Sequence, residues 1–159
     1  MTHLLDPCFI IAEAGVNHNG DLAMALDLVE VAAKAGADAV KFQTFSAERL
    51  VTPLAQKARY QEDNLPEDTD NGQFAMLKAL ELDAQAHHAI AARTKVLGME
   101  FMSTPFDVQS LHFLKNEGLV SRLKLGSGEI GNLPLLWEAG ASGLPLVLST
   151  GMANLDEIE

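Results

Sequence analysis

The 159-residue sequence predicts a parallel α/β fold, and three observations carry that reading. Short apolar runs recur along the chain at FIIAEAG, AVKFQTF, MEFMSTPF, RLKLGSGE and LPLVLSTGM. Segments with helical spacing of apolar residues separate the runs, which is the alternation expected of β-α-β units. Each run carries polar residues suited to catalysis: Glu13; Lys41; Thr104; Lys124 with Ser127 and Glu129; Ser149 with Thr150. Parallel strands joined by helical crossovers bring their carboxyl ends to one face, so these scattered residues would surround a single site. Functional residues after every strand favour a TIM (β/α)8 barrel over a doubly wound sheet, which concentrates them at one switch point. A complete barrel needs eight strands and about 250 residues. Five strands are visible here, so the expectation is a barrel truncated after the fifth strand, with residues 1–159 forming its N-terminal portion.

The elements follow in order. Cys8 to Ala14 reads as a buried strand, continuous and isoleucine-rich. The NHNGD loop follows, and Asp21 caps a helix from about Leu22 to Ala35, ended by Gly36. Ala39 to Phe42 is the second strand. From Ser46 to Gly72, with Pro53, Pro66 and the acidic run EDNLPEDTDNG, no period is sustained, which predicts an exposed insertion. A short helix is expected over Phe74 to Leu80, and Asp83 caps another over Ala84 to Leu97. Glu100 to Ser103 is the third strand, and Asp107 caps a helix over Val108 to Asn116. Leu123 to Leu125 is the fourth strand, Pro134 to Ala139 a short helix and Leu146 to Ser149 the fifth strand. Asn154 reads as the cap of a last helix.

Composition narrows the function. The net charge of −11 argues against nucleic acid or an anionic membrane as partner. With 48% hydrophobic residues the chain can bury a sizeable core. Cys8 is the single cysteine, which excludes an internal disulfide or a thiolate metal cluster and places the thiol in the core as a small hydrophobe. No positively charged segment precedes a signal-like apolar run, and no stretch approaches the ~20 apolar residues of a membrane span, so a cytoplasmic location is expected.

A carboxylate at the end of a buried strand is costly unless paired, ligated or solvated. Glu13 is therefore either half of a structural ion pair or a catalytic or substrate-binding group, and the polar loop Asn17-His18-Asn19-Gly20 behind it favours the second. His18 fits loop hydrogen bonding and ligand contact equally well. Lys41 lies inside an apolar strand, where burial disfavours its charge unless an anion offsets it. A phosphate, a carboxylate or an internal salt bridge would serve. Gln43 alternates to the same face and could add an amide donor. In Lys124-Leu125-Gly126-Ser127-Gly128-Glu129 the lysine faces inward and the glycines permit a sharp turn that presents N–H groups to an anion. Ser127 adds a hydroxyl and Glu129 a possible base. The hydroxyl pairs Ser103-Thr104 and Ser149-Thr150 suit phosphate contact or helix capping alike. His87 and His88 stand on a helix among alanines and read as surface residues. Adjacent positions share no helix face, so a metal pair is not expected there.

Taken together, AEAGVNHNGD, AGADAVKFQTF, STPFD, KLGSGEI with NLPLL, and LSTGMANLDEIE resemble the N-acetylneuraminate (sialic acid) synthase family, in order along nearly the whole chain. The resemblance implies a TIM-barrel catalytic domain that condenses phosphoenolpyruvate with an N-acetylated hexose, N-acetylmannosamine or a related amino sugar, releasing phosphate. It implies that Lys41 and Lys124 hold the phosphoenolpyruvate anion, that Ser127, Thr104 and Ser149 complete its contacts, and that Glu13 and Glu129 sit by the sugar and the reacting carbons. It further implies a divalent metal, manganese or magnesium, with ligands beyond Glu159; a C-terminal antifreeze-like domain; and a homodimer when complete. Gly128 in the SGE turn is similar to synthases making N-acetylneuraminate or legionaminate rather than pseudaminate, and YQEDN with NGQFAMLKALEL is similar to the bacterial insertion. Two competing readings are a Schiff-base pyruvate aldolase on a similar barrel, with a strand-end lysine as nucleophile, and a non-catalytic binding module from a truncated gene.

Overall fold

The computed structural model describes residues 8–51, 72–151 and 153–159. Most of the expected insertion, with Pro53, Pro66, YQEDN and its acidic run, lies outside these residues, as do the first seven residues and Met152. The described chain alternates strands and helices: β1 (Ile11–Gly15), α1 (Leu22–Lys34), β2 (Ala39–Thr44), α2 (Ala47–Leu50), α3 (Gln73–Ala79), α4 (Ala84–Val96), β3 (Glu100–Pro105), α5 (Val108–Asn116), β4 (Leu123–Leu125), a 3-10 turn (Ser127–Glu129), α6 (Leu133–Ala141), β5 (Leu146–Leu148) and α7 (Leu155–Ile158).

The helix starts follow from their caps. Asp21, Asp83 and Asp107 each accept the backbone N–H three residues on, from Met24, Ala86 and Ser110, at 2.8, 2.7 and 2.8 Å. Asn154 and Glu157 form a reciprocal capping box at the start of α7. Gly36, Gly98 and Gly118 follow α1, α4 and α5 with φ of +79°, +75° and +61°, the left-handed backbone that stops a helix most easily at glycine.

All described strand pairs are parallel. β1, β2 and β3 form one ladder in that order, and β4 pairs with β5 in a second. β4 packs beside β3, and at their amino ends the Glu100 carboxylate accepts Arg122 Nε at 2.8 Å. The backbone ladder is therefore interrupted once, between β3 and β4, where the sequence predicted an unbroken series. Within each ladder every strand neighbours the next in sequence, with no reversal of order. In the doubly wound order 3-2-1-4-5-6 the fourth strand would lie beside the first; here β4 lies beside β3, as barrel winding requires.

The core fills the space between strands and helices. Val40, Phe42, Phe101, Leu123 and Leu125 meet Val29 of α1, Ile90 of α4, Leu111 and Leu114 of α5, and Leu135 of α6. Burying each such side chain contributes about 1.5–3 kcal/mol. Two expectations about this layer fail. Cys8 is exposed, because the β1 ladder begins only at Ile11 and the apolar residues before it lie outside the pairing. His87 is buried rather than on the surface, being three residues before Ile90 on the stripe of α4 that faces the strands. β5 is the open strand of the set: Leu146, Val147 and Leu148 are 40%, 38% and 37% exposed.

Candidate functional site

The carboxyl ends of the strands collect five of the seven candidate residues. The β1–β2 register sets Glu13 opposite Lys41, and the two side chains form an ion pair. Lys41 is mostly buried and Glu13 half exposed. The ion-pair expectation for these residues is met: each supplies the counter-charge that the other's position demands. Gly15 explains how the pair fits. Its φ is +55°, and a Cβ there would stand 3.2 Å from Glu13 Oε1 and 3.7 Å from Gln43 Nε2. The register slips between Glu13 and Gly15, which ends the regular pairing at that point.

The β2–β3 register continues the same wall. Lys41 lies beside buried Met102 and Gln43 beside Thr104. Thr104 is 4% exposed, and its hydroxyl makes no hydrogen bond among the described residues.

Lys124 approaches from β4. Its ammonium donates to the Leu125 carbonyl at 2.6 Å, and the Ser149 N–H reaches the same oxygen at 3.1 Å. Ser149 is thereby held beside Lys124 across the β4–β5 pair. Burial lowers the Lys124 pKa below the ordinary lysine value; the nearby Lys41 charge lowers it further, and Glu13 opposes the shift. Glu13, Lys41 and Lys124 therefore share one electrostatic neighbourhood with a single net positive charge.

Ser127 and Glu129 occupy the turn after β4. The turn is 3-10, with Glu129 N–H donating to the Gly126 carbonyl at 3.1 Å. Neither Gly126 nor Gly128 has a positive φ, and a Cβ on either would meet nothing within 4 Å. This corrects the expected reason for the glycines: the backbone does not require them, and they leave the turn's surface open. Glu129 accepts Asn132 Nδ2 at 2.8 Å, which ties it to the cap of α6 rather than to Glu13 or a lysine. The Ser127 hydroxyl makes no hydrogen bond among the described residues.

The expected loop after β1 is a compact turn. His18 is buried, its Nδ1 accepts the Gly20 N–H at 3.0 Å, and its Nε2 has no partner among the described residues. Burial, then the His87 charge, lowers the His18 pKa, so the ring is neutral at pH 7. Loop hydrogen bonding is thus one shown role of this residue. Gly20 has φ +75°, and a Cβ there would fall 2.1 Å from the Ala79 carbonyl oxygen, so only glycine lets the loop pack on the end of α3.

A rim of ion pairs, not anticipated from the sequence, surrounds the wall. Lys78 bridges Glu48 and Glu81 at 2.8 Å each, and its bond to Glu48, with that of the Ser46 hydroxyl, holds the Glu48 pKa at about 2. Arg49 donates to Asp107 at 2.7 Å. Burial raises the Asp107 pKa, but hydrogen bonds from Ser110 and Arg49 outweigh it and leave the group below its usual range. Together these bonds fasten α2, which follows β2, to α3 and to the start of α5.

Among the described residues no three His, Cys, Asp or Glu side chains gather into a group that could hold a metal ion. Glu13 is engaged with Lys41 and Glu129 with Asn132, so the donors present do not fit a divalent metal centre. Also among the described residues, no helix is long and apolar enough to cross a membrane.

Fold and site together define a parallel α/β protein with a cationic wall at its strand ends. The NeuB family's sequence model matches residues 28–159, and the chain belongs to that family. The chain is 54% identical over 151 residues to the N,N'-diacetyllegionaminic acid synthase of Legionella pneumophila, a match covering 95% of this chain and 42% of that protein. The crystal structure of the N-acetylneuraminic acid synthetase of Leptospira borgpetersenii, in complex with citrate, superimposes with a TM-score of 0.78 at 37% identity, covering 96% of this chain and 48% of that one. A truncated 3-deoxy-D-arabino-heptulosonate 7-phosphate synthase from Thermotoga maritima shares the fold at TM-score 0.60 and 13% identity. These neighbours are of the TIM-barrel type. The chain spans less than half the length of the curated relatives named here.

Proposed function

We propose that the chain is the phosphoenolpyruvate-binding half of a nonulosonate synthase barrel. The observation that carries this reading is the convergence of Lys41 and Lys124 beside Glu13 at the strand ends of a NeuB-family chain. Lys124 is partly buried, and its ammonium faces a carbonyl instead of a carboxylate, so an arriving anion would relieve the cost of its charge. Ser149, Ser127, Thr104 and Gln43 would add neutral donors around the same anion.

In the reaction so read, C3 of the enol phosphate attacks the aldehyde carbon of the sugar, the new C–C bond forms as the C=O π bond breaks, and the aldehyde oxygen takes up a proton to become a hydroxyl. Positive charge develops at C2 as an oxocarbenium ion, water adds there, and the C2–O bond to phosphate breaks. Lys41 and Lys124 fix and orient the donor. Glu13 would stabilise the developing cation, and Glu129, at the open turn, would accept the proton of the attacking water. A divalent metal would polarise the aldehyde. Its ligands would have to come from outside the described residues, and no step here runs through it. The acceptor would carry its own acetamido groups, because phosphoenolpyruvate contains no nitrogen. Likeness to the Legionella synthase supports a diacetylated acceptor over N-acetylmannosamine.

Phosphate release in the presence of phosphoenolpyruvate, manganese and each amino sugar tests the reading. Glu129→Gln should retain phosphoenolpyruvate binding and lose about 10²-fold or more in turnover, as for an acid–base group. Wild-type turnover in that variant would make Glu129 structural. The lowered Lys124 pKa also favours a second reading, a Schiff-base aldolase, because such lysines are activated by burial. Borohydride reduction with pyruvate separates the two: a stable adduct at Lys124 or Lys41 would support the aldolase, and its absence the synthase.

A further inference from the structure

Directly behind the wall, on the side of β2 and β3 that faces the helices, three buried side chains form a hydrogen-bonded line. Ser103 Oγ lies 2.7 Å from Thr44 Oγ1, which lies 2.9 Å from His87 Nε2. His87 Nδ1 lies 2.8 Å from the Asp83 carbonyl oxygen. Ser103 is 0% exposed, His87 3% and Thr44 6%.

The direction of every proton in the line is determined. A carbonyl only accepts, so Nδ1 of His87 carries the ring proton. Nε2 of the neutral ring is then an acceptor, so the Thr44 hydroxyl donates to it. The Thr44 oxygen is left to accept from Ser103. Burial lowers the His87 pKa, while the bond to Asp83 pulls it up, so the ring is neutral at pH 7. The ring is surrounded by Phe113 of α5, edge-on at 5.4 Å, by neutral His18 from the loop after β1, and by Asp83 and His88 on its own helix. Arg49 lines a small cavity beside it, together with Gln109 and Ser110.

Strand alternation makes this line matter to the site. Thr44 follows Gln43 and Ser103 precedes Thr104, and Gln43 and Thr104 are register partners on the opposite face. We propose that His87 is a positioning residue of the anion site: through Thr44 and Ser103 it locks the carboxyl ends of β2 and β3 to α4, and so fixes the spacing of Gln43 and Thr104. The proposal rests on the anion-site reading above. Adding a proton at His87 Nε2 would convert the acceptor to a donor and force Thr44 and Ser103 to reverse, with consequences on the far side of the strands.

Two arms test it in the intact protein. In the first, histidine ring nitrogens, the Thr104 amide and the Gln43 side-chain amide are followed by NMR as pH falls. His87 should hold its proton on Nδ1, and both reporters should move with the His87 midpoint. A proton on Nε2, or reporters that ignore the His87 titration, would overturn the proposal. In the second arm, phosphoenolpyruvate affinity is measured by calorimetry. His87→Gln, which keeps an acceptor for Thr44, should bind within about threefold of wild type, whereas His87→Leu and Thr44→Val should each weaken binding about tenfold and less than multiplicatively together. Should His87→Leu fail to fold, Thr44→Val, close to isosteric, still decides. Lower melting temperatures with unchanged affinity would reduce the line to a structural element. A wild-type protein that does not bind phosphoenolpyruvate would sink the anion-site reading, while the NMR arm would still decide the coupling.

Discussion

The two ladders hold their lysines differently. Lys41, in the three-stranded ladder, has a carboxylate set opposite it by the register, and its strand is fastened at the rim by Lys78 and Arg49. Lys124, in the two-stranded pair, hydrogen bonds a carbonyl, carries a pKa lowered by burial, and neighbours a β5 whose three residues are all exposed. A compensated charge gains little from a ligand, and an uncompensated one gains much. On the proposed anion-site reading, the tightly built region would supply geometry and the looser one most of the affinity.

Stability should show the contrast most strongly. Phe42→Ala, in the middle of the first ladder, should cost about 3–5 kcal/mol in urea denaturation. Leu148→Ala, in exposed β5, should stay within about 0.5 kcal/mol. Equal losses would mean that the two ladders form one evenly packed unit.

Ligand affinity comes next. Lys124→Ala should weaken phosphoenolpyruvate binding by about 1.5–3 kcal/mol, one charge-assisted contact, with little change in unfolding midpoint. Removing the ion pair as a unit, Glu13→Gln with Lys41→Met, leaves net charge unchanged and should weaken binding less. The reverse ranking would make Lys41 the principal anion contact.

Exposed β5 is a poor edge, apolar and without charge. The protein should therefore self-associate through this edge, read by light scattering. Val147→Lys should raise the monomer fraction. A well-folded monomer would show that β5 needs no cover.

The smallest effect expected is on pH. His18 and His87 both have folded pKa values below 6.5, so the unfolded chain binds protons first as pH falls. Their stabilising contribution is full above about pH 6.5 and is lost as pH drops through the folded values. His87→Gln should flatten this loss; an unchanged profile would assign it to other groups.

The sequence exposed the strand series and its polar ends because apolar runs and helix caps are local signals: Asp21, Asp83, Asp107 and Asn154 all cap the helices expected of them. Phase within a continuous apolar run is not a local signal, which is why Cys8 was placed in the core and β1 begins three residues later. His87 was legible in principle, three residues before Ile90, the one large apolar residue near the middle of α4, but its alanine-rich surroundings hid the buried stripe. The Glu13–Lys41 pairing and the rim bonds of Lys78 and Arg49 depend on register and on contacts between distant segments, which no single-segment pattern carries.

Titration of the Lys124 side chain, followed by carbon-detected NMR with and without phosphoenolpyruvate, tests the central claim most directly. In the free protein the Lys124 pKa should lie below the ordinary lysine value. Saturating phosphoenolpyruvate should raise it, and affinity should fall as pH rises through the free value, where the ammonium is lost. A Lys124 pKa that does not move when phosphoenolpyruvate binds would contradict the account and place the anion elsewhere.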